Sequence, residues 1–435
     1  MSDDKYPIEV PTEVPIGVVE QPPVWIPSED EGESRSSGDE LPTATTALSR
    51  AFATGRLMDS LPGEIVVTLM AFVFAFLLGA LLMVISSPGL SAGEAWAKVG
   101  LAYGSLVKGA LWGPKAWAET AAQAAPLICA GLGVALAFRV GLFNIGGQGQ
   151  AIWGAIAAGY VGFHYHWPVY IHLPAAILAG LVAGAIWAGI AGLLRAQFGA
   201  HEVIVTIMLN YVASNTLLWL LNGSLGDPAR NAPISPPVDA SAMLPSFYGR
   251  FHLGFILALL AAVVVWWILD RTRLGLSIRA VGANSDAAAT AGMNVKLTLT
   301  LAMVIAGILC GLGGIMPILA PTALNTAPML SVGLVGNIGF NAITVALLGR
   351  SRPIGVVAAG LLFGALQAGS LNMQAVAQTP AELANVIQAF IVMFVAAPML
   401  VRTLAPFHKI KFGGKKRAAQ AAPDMVSATV EAGVA

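Results

Sequence analysis

The side chains of this sequence best suited to holding a polar solute are carboxamides set among glycines. In the run GLFNIGGQGQ, residues 141–150, Asn144, Gln148 and Gln150 stand among four glycines. Further on, VGNIGFNAI places Asn337 and Asn341 four residues apart, hence on one helical face, with Gly336 and Gly339 beside them. Asn210 and Asn215 add amides in another apolar stretch. A carboxamide donates and accepts hydrogen bonds without a buried charge, which suits a neutral, hydroxyl-rich or base-like solute crossing a membrane. The competing reading is that such amides only bond neighbouring helices. For Asn144, Gln148 and Asn341 the residues themselves leave both readings open.

A second feature is the polar, basic segment RTRLGLSIRAVGANSDAAATAGMNV, residues 271–295. Asn284 is placed to cap a helix, Asp286 sits where the positive end of its dipole favours a carboxylate, and Gly292 supplies a left-handed turn to end it. Residues 285–291 are nearly all small. A helix of one to two turns is unstable alone, and its slim profile suits the groove of another protein. The plainer alternative is a solvated loop with a stray helical turn.

The elements that position these residues follow from composition. The chain of 435 residues is 57% hydrophobic and 11% charged, too apolar for a soluble globule, and reads as an all-α polytopic membrane protein. Ten stretches are long enough to cross about 30 Å of hydrocarbon. They lie near 65–86, 119–138, 142–163, 172–194, 203–221, 253–269, 297–320, 332–349, 353–371 and 383–401. The second and third are separated only by residues 138–141, and the eighth is rich in glycine and asparagine. Each is a candidate for a broken or re-entrant element.

With the N-terminus inside, the outer loops hold only Lys98, Lys108, Lys115, Arg230 and Arg250, and the other 18 of 23 basic residues are cytoplasmic. The expected topology is therefore N-in and C-in, with Tyr165, Trp167 and Tyr170 at an outer membrane interface.

No span carries Asp, Glu, Lys or Arg in its interior; Glu64, Glu119, Arg139, Arg195, Glu202, Asp270, Arg350 and Glu382 all fall at ends. That inventory argues against a proton-driven carrier and against a membrane-embedded hydrolase or transferase. The histidines also sit at span ends or in loops, more interfacial than catalytic. No G-x-x-x-x-G-K-[ST] loop is present, so the chain does not bind nucleotide in that manner. Cys129 and Cys310 read as packing residues, with no spacing for a disulfide or metal. The pairs Gly180/Gly184, Gly307/Gly311 and Gly360/Gly364 read as close helix contacts. F-N-I-G and N-I-G-F-N read alike, and each follows a Cys-x-Gly-type run, CAGLG from Cys129 or CGLGG from Cys310, which hints at an internal duplication.

Residues 1–48, with eleven acidic residues, two basic ones and seven prolines, form an expected disordered cytoplasmic tail. No signal peptide is recognisable, so the first span is expected to be an uncleaved anchor. Residues 49–404 make the membrane domain, with a coupling loop at 271–296. Residues 405–435 begin with the basic run KIKFGGKKR, read as a lipid-facing anchor, and continue as a disordered tail.

Five motifs together carry a family resemblance: AFRVGLFNIGGQGQ (137–150), TIMLNYVA (206–213), GLSIRAVGANSDAAATAGMNV (275–295), GNIGFNAITVALLGRSRPIG (336–355) and LLFGALQAGS (361–370). The chain resembles the permease subunits of bacterial ABC importers of the branched-chain amino acid and simple-sugar type, and within them the nucleoside permeases. The resemblance implies a multi-pass protein of the bacterial inner membrane, not an enzyme, working by alternating access. It also implies a second permease chain, a cytoplasmic ATP-binding subunit, and an extracytoplasmic lipoprotein that delivers the solute. ATP then belongs to the partner, and this chain needs no cofactor. Arg279, Gly282, Asn284, Asp286, Ala288 and Gly292 match the coupling motif, and Asn144, Gln148, Gln150, Asn210, Asn337 and Asn341 become the candidate solute pathway. Residues 222–253, with DPARNAPISPP and FYGRFH, are the natural face for the lipoprotein. The chain departs from its relatives in carrying neutral Gln148 and Asn341 where acidic residues are common. A ribose-type sugar permease is the alternative within the family; an ion-coupled carrier and a membrane scaffold are the alternatives outside it.

Overall fold

The computed structural model describes residues 63–86, 91–322, 326–380 and 382–396. The expected tails, 1–48 and 405–435, lie outside the described residues. The helices are α1 (Gly63–Ile85), α2 (Ala92–Leu111), α3 (Pro114–Arg139), α4 (Gly147–His164), α5 (Val169–Phe198) and α6 (Glu202–Leu221). They continue as α7 (Leu253–Arg271), α8 (Arg273–Ala283), α9 (Ser285–Thr290), α10 (Val295–Leu319), α11 (Ile338–Leu348), α12 (Pro353–Ala377) and α13 (Glu382–Ala396). Among the described residues six of these, α3, α5, α6, α7, α10 and α12, are long and apolar enough to cross a membrane.

Burial sorts them. The most apolar window of α3 is 89% buried and that of α10 is 61% buried, against 28% for α5 and 22% for α6. The first pair therefore forms the centre, while α5 to α7 turn Leu178, Val182, Ile186, Leu260 and Trp267 outward, as lipid-facing helices do. Glycine lets the central helices approach. A Cβ at Gly133 of α3 would lie 2.6 Å from the Ala306 carbonyl of α10, and one at Gly311 of α10 would lie 2.8 Å from the Gly180 carbonyl of α5. A Cβ at Gly364 of α12 would lie 2.6 Å from Ala124 of α3. The glycine pairs read from the sequence are thus contact residues, where van der Waals packing replaces the hydrophobic drive lost in lipid. Both cysteines are free and fully buried at this centre, with Cys310 Sγ 3.7 Å from the Ala130 carbonyl.

The two stretches read as candidates for broken elements are interrupted, and the expectation of an outer loop at 92–111 changes. The stretch 332–349 forms only an 11-residue helix, α11, about 16 Å long at 1.5 Å per residue, well short of a full crossing. Residues 332–337 before it are turns, with Gly336 at φ 51°. The stretch at 142–163 likewise becomes helical only at Gly147, after the irregular segment 140–146. Residues 92–111, taken above as outer loop, form α2 instead. Ser91 and Glu94 close a capping box at its start, and Ala95, Val99, Ala102, Leu106 and Ala110 make one buried stripe. Its mixed composition hid it from a search for continuous apolar runs. Its C-terminal half packs on α12, where Asn372 Nδ2 donates to the Ser105 carbonyl at 2.6 Å.

Two ends of the bundle result. At one, α8 lies against the C-termini of α3 and α7, and α9 leads into α10. At the other, β1 (Ile234–Pro237) pairs antiparallel with β4 (Met329–Ser331), Ile234 opposite Ser331. A hairpin, β2 (Ser246–Tyr248) with β3 (Phe251–His252), turns at Gly249. The loop at 222–253 is thus largely folded onto its own chain, with Val238, Ala242 and Leu244 buried and residues 228–233 and 245–249 exposed. Tyr165 and Trp167 stack at this end, ring centres 4.4 Å apart.

Candidate functional site

The two Asn/Gly elements that read alike in sequence meet in space. The N-termini of α4 and α11 abut, and Gln148 joins them: its Oε1 accepts from Gly339 N–H at 2.8 Å and its Nε2 donates to the Gly336 carbonyl at 2.6 Å. The preceding Cys runs also face each other, since a Cβ at Gly133 of α3 would lie 2.9 Å from Cys310 Sγ of α10. The N-termini of α4 and α11 therefore meet inside the bundle, bringing their positive dipole ends together.

The remaining amides divide by role. Asn144 and Gln150 pair through both amide groups, at 3.2 and 3.1 Å, and Asn144 Oδ1 also accepts from Gly146 N–H at 3.0 Å. Asn210 accepts from Gly149 N–H at 2.8 Å and donates to the Ile145 carbonyl at 2.9 Å. Asn144, Gln150 and Asn210 are buried and together clamp residues 144–150, where the irregular segment enters α4. Asn215 is exposed and bonds back to the Tyr211 carbonyl of its own helix.

Asn337 and Asn341 instead line a cavity of about 370 Å³ toward the β-hairpin end, within the range of small-molecule sites. Gln123 of α3 and Gln367 of α12 complete a ring of four carboxamides, with Leu127, Met316 and Ile338 supplying apolar wall. Gln123 Nε2 donates to Glu119 Oε1 at 3.0 Å, and Arg250 pairs with the same oxygen at 2.6 Å. Arg250 Nε is buried with no hydrogen-bond partner, a donor left over at the cavity wall. The sequence reading assigned none of Gln123, Gln367, Arg250 and His252 to the solute pathway; it placed Arg250 in an outer loop and both Arg250 and His252 in the FYGRFH run. Gln367 stood within the LLFGALQAGS motif, and Gln123 was a lone amide in an apolar helix, a signal that alone does not separate cavity from packing.

His252 is 2% exposed, and its Nδ1 accepts from Gly254 N–H at 3.1 Å, capping α7. Burial, with the Arg250 charge adding to it, pushes its pKa down to about 4. The ring is neutral at pH 7 and can serve as that acceptor. The stability this contributes is complete above the ordinary value near 6.5 and is lost as pH falls toward 4, by up to about 3 kcal/mol. The melting temperature should therefore fall over that window, and His252→Asn, which keeps a capping acceptor, should flatten the fall. Identical pH profiles for the two proteins would refute the assignment.

At the opposite end, Asn284 Oδ1 accepts from Asp286 N–H at 2.9 Å and Ala287 N–H at 3.0 Å, and Gly292 takes φ 80°, as its position foretold. The structure adds α8, eleven residues capped by Thr272, which the sequence reading did not anticipate. Arg279 turns back to the Leu269 carbonyl and to Asp270, 3.5 Å away. Gly282 lies against the Arg139 carbonyl, where a side chain would collide. Ala288 is buried in the chain's own core rather than offered to a partner. These three residues attach the element, while Ser285, Asp286, Ala287, Ala289 and Thr290 face outward.

Residues 117–396 match the family model described as the branched-chain amino acid transport system permease component. The chain is 38% identical over 347 residues to the guanosine ABC transporter permease protein NupP of Bacillus subtilis, covering 78% of this chain and 95% of that protein. It is 34% identical over 366 residues to the nucleoside ABC transporter permease protein NupB of Lactococcus lactis, covering 81% and 96%. It is also 34% identical over 305 residues to the glucose ABC transporter permease protein TsgB13 of Haloferax volcanii, covering 67% and 79%. The chain belongs to the branched-chain amino acid transport system permease family, as a multi-pass membrane translocation subunit rather than an enzyme.

Proposed function

We propose that this chain is the permease subunit of an importer that moves nucleosides across a bacterial inner membrane by alternating access, with ATP hydrolysed by a separate subunit. The observation that carries the reading is the cavity ringed by Gln123, Asn337, Asn341 and Gln367, with Arg250 Nε as a free donor. A nucleoside presents sugar hydroxyls and base-edge donors and acceptors without charge, which carboxamides match. The similar guanosine and nucleoside permeases support that solute. The similar glucose permease supports a simple sugar as the second reading, since hydroxyls alone also satisfy amides. An ion-driven carrier has little support, because no long apolar helix carries Asp, Glu, Lys or Arg in its middle.

In this reading both termini are cytoplasmic, α8 and α9 face the cytosol, and the cavity lies toward the outer side. The amide frame of Asn144, Gln148, Gln150 and Asn210 holds the α4–α11 junction that forms the inner wall of the pathway. A second permease chain completes that pathway, and a lipoprotein delivers solute to residues 228–233 and 245–249. The outward face of α9 seats in the ATP-binding subunit, with Arg279, Gly282 and Ala288 anchoring it and Asn284 and Gly292 setting its ends.

Proteoliposomes holding the assembled transporter and its binding protein should accumulate guanosine only with ATP on the α8–α9 side. Asp286→Lys with Ala287→Trp should lower that uptake at least about tenfold while the protein stays in the membrane. Accumulation by the permease alone under an ion gradient would overturn the proposal.

A further inference from the structure

A second cavity, of about 690 Å³, opens at the α8–α9 end. Its wall carries Arg139 of α3, Arg279 of α8, and Arg350 and Arg352 of the α11–α12 turn, against one carboxylate, Asp270. Asp270 lies 3.5 Å from Arg279. The turn is backbone-strained: Arg350 and Ser351 take φ 52° and 51°, a left-handed region that non-glycine residues rarely adopt. Arg139 Nε donates to the Ser351 carbonyl at 2.9 Å and Ser351 N–H bonds the Ala346 carbonyl at 2.9 Å, so the surroundings hold it. The outcome is two arginines of one short turn on the same cavity wall.

The rest of the lining is apolar and includes Trp266, Leu348 and Ile354, the last 80% exposed. Arg271 lies over the Trp266 ring, its guanidinium carbon 5.9 Å from the centre. Trp266 belongs to α7 and Ile354 to α12, two of the helices long enough to cross a membrane. The cavity therefore sets basic beside apolar side chains, between the ends of membrane-length helices.

We propose that it binds the phosphodiester headgroup of an anionic phospholipid from the leaflet on the α8–α9 side. Guanidinium groups match phosphate oxygens with several charge-assisted bonds, and basic pockets between transmembrane helices favour such headgroups. A free phosphate shares that chemistry but gains nothing from Trp266 and Ile354, which suit acyl chains.

The test titrates the assembled transporter in uncharged detergent with short-chain phosphatidylglycerol, phosphatidylcholine of the same chains, and inorganic phosphate. Phosphatidylglycerol should raise the melting temperature saturably, and the other two should not. Arg350→Gln with Arg352→Gln should raise the half-saturating concentration roughly thirtyfold, the loss expected for two cations near an anionic surface. An equal shift with phosphatidylcholine, an equal shift with phosphate, or an undiminished response in the double variant would each overturn the proposal. If that variant does not assemble, native mass spectrometry of the unaltered transporter decides: retained phosphatidylglycerol in excess of phosphatidylcholine supports the site, and its absence refutes it.

Discussion

Gly339→Val is expected to leave almost no folded, transporting permease. Even a Cβ at Gly339 would fall on the backbone of Gln148 and Gly147, where two helix ends meet and no flexible side chain can give way. Overpacking in a core typically costs about 1–3 kcal/mol, and a collision between backbones sits at or above that range. The Gly339 N–H bond to Gln148 would be lost as well. The measurement is the amount of monodisperse protein recovered from membranes, its melting temperature, and uptake. Gly93→Ala is the control: nothing lies within 4 Å of that position on α2, and alanine is worth about 1 kcal/mol over glycine in a helix. Wild-type recovery and uptake of Gly339→Val would mean that α4 and α11 do not abut.

The second large effect separates frame from cavity. Asn341→Leu, alone or with Asn337→Leu, should reduce kcat/KM for solute at least about tenfold with little change in melting temperature, since removing a hydrogen bond to bound solute costs about 1–3 kcal/mol. Among the described residues neither side chain makes a hydrogen bond, and both residues line the cavity. Asn144→Leu should do the reverse, lowering the melting temperature first. It orphans both ends of the Gln150 amide and the Gly146 N–H, at about 1–3 kcal/mol for each buried group. Stable Asn144→Leu protein with impaired transport, beside an unstable Asn341→Leu, would reverse the assignment of roles.

Several features were legible because their causes are local or compositional. The Asn284 cap and the Gly292 turn depend on atoms a few residues away, so residue type and spacing foretold them. The same local logic covered α2, whose Ser91–Glu94 box and apolar stripe were present but lay outside a continuous apolar run. The short α11 was foreshadowed by glycine and asparagine, though its length was not. Membrane character followed from composition alone, and the likeness between the two Asn/Gly elements hinted at their equivalent placement at the central junction.

What the sequence by itself determined, then, is a bilayer-embedded, uncharged interior with amides at two glycine-rich breaks and a capped polar helix between spans. Only tertiary structure decided which amides face space and which face each other. Gln148 meets Gly339 across 191 residues, Arg139 meets Ser351 across 212, and Gln123 and Gln367 come from different helices to one cavity. A carboxamide looks the same in a chain whether its hydrogen-bond partner is protein or solute, because that partner is chosen by packing between distant helices and not by neighbours in sequence.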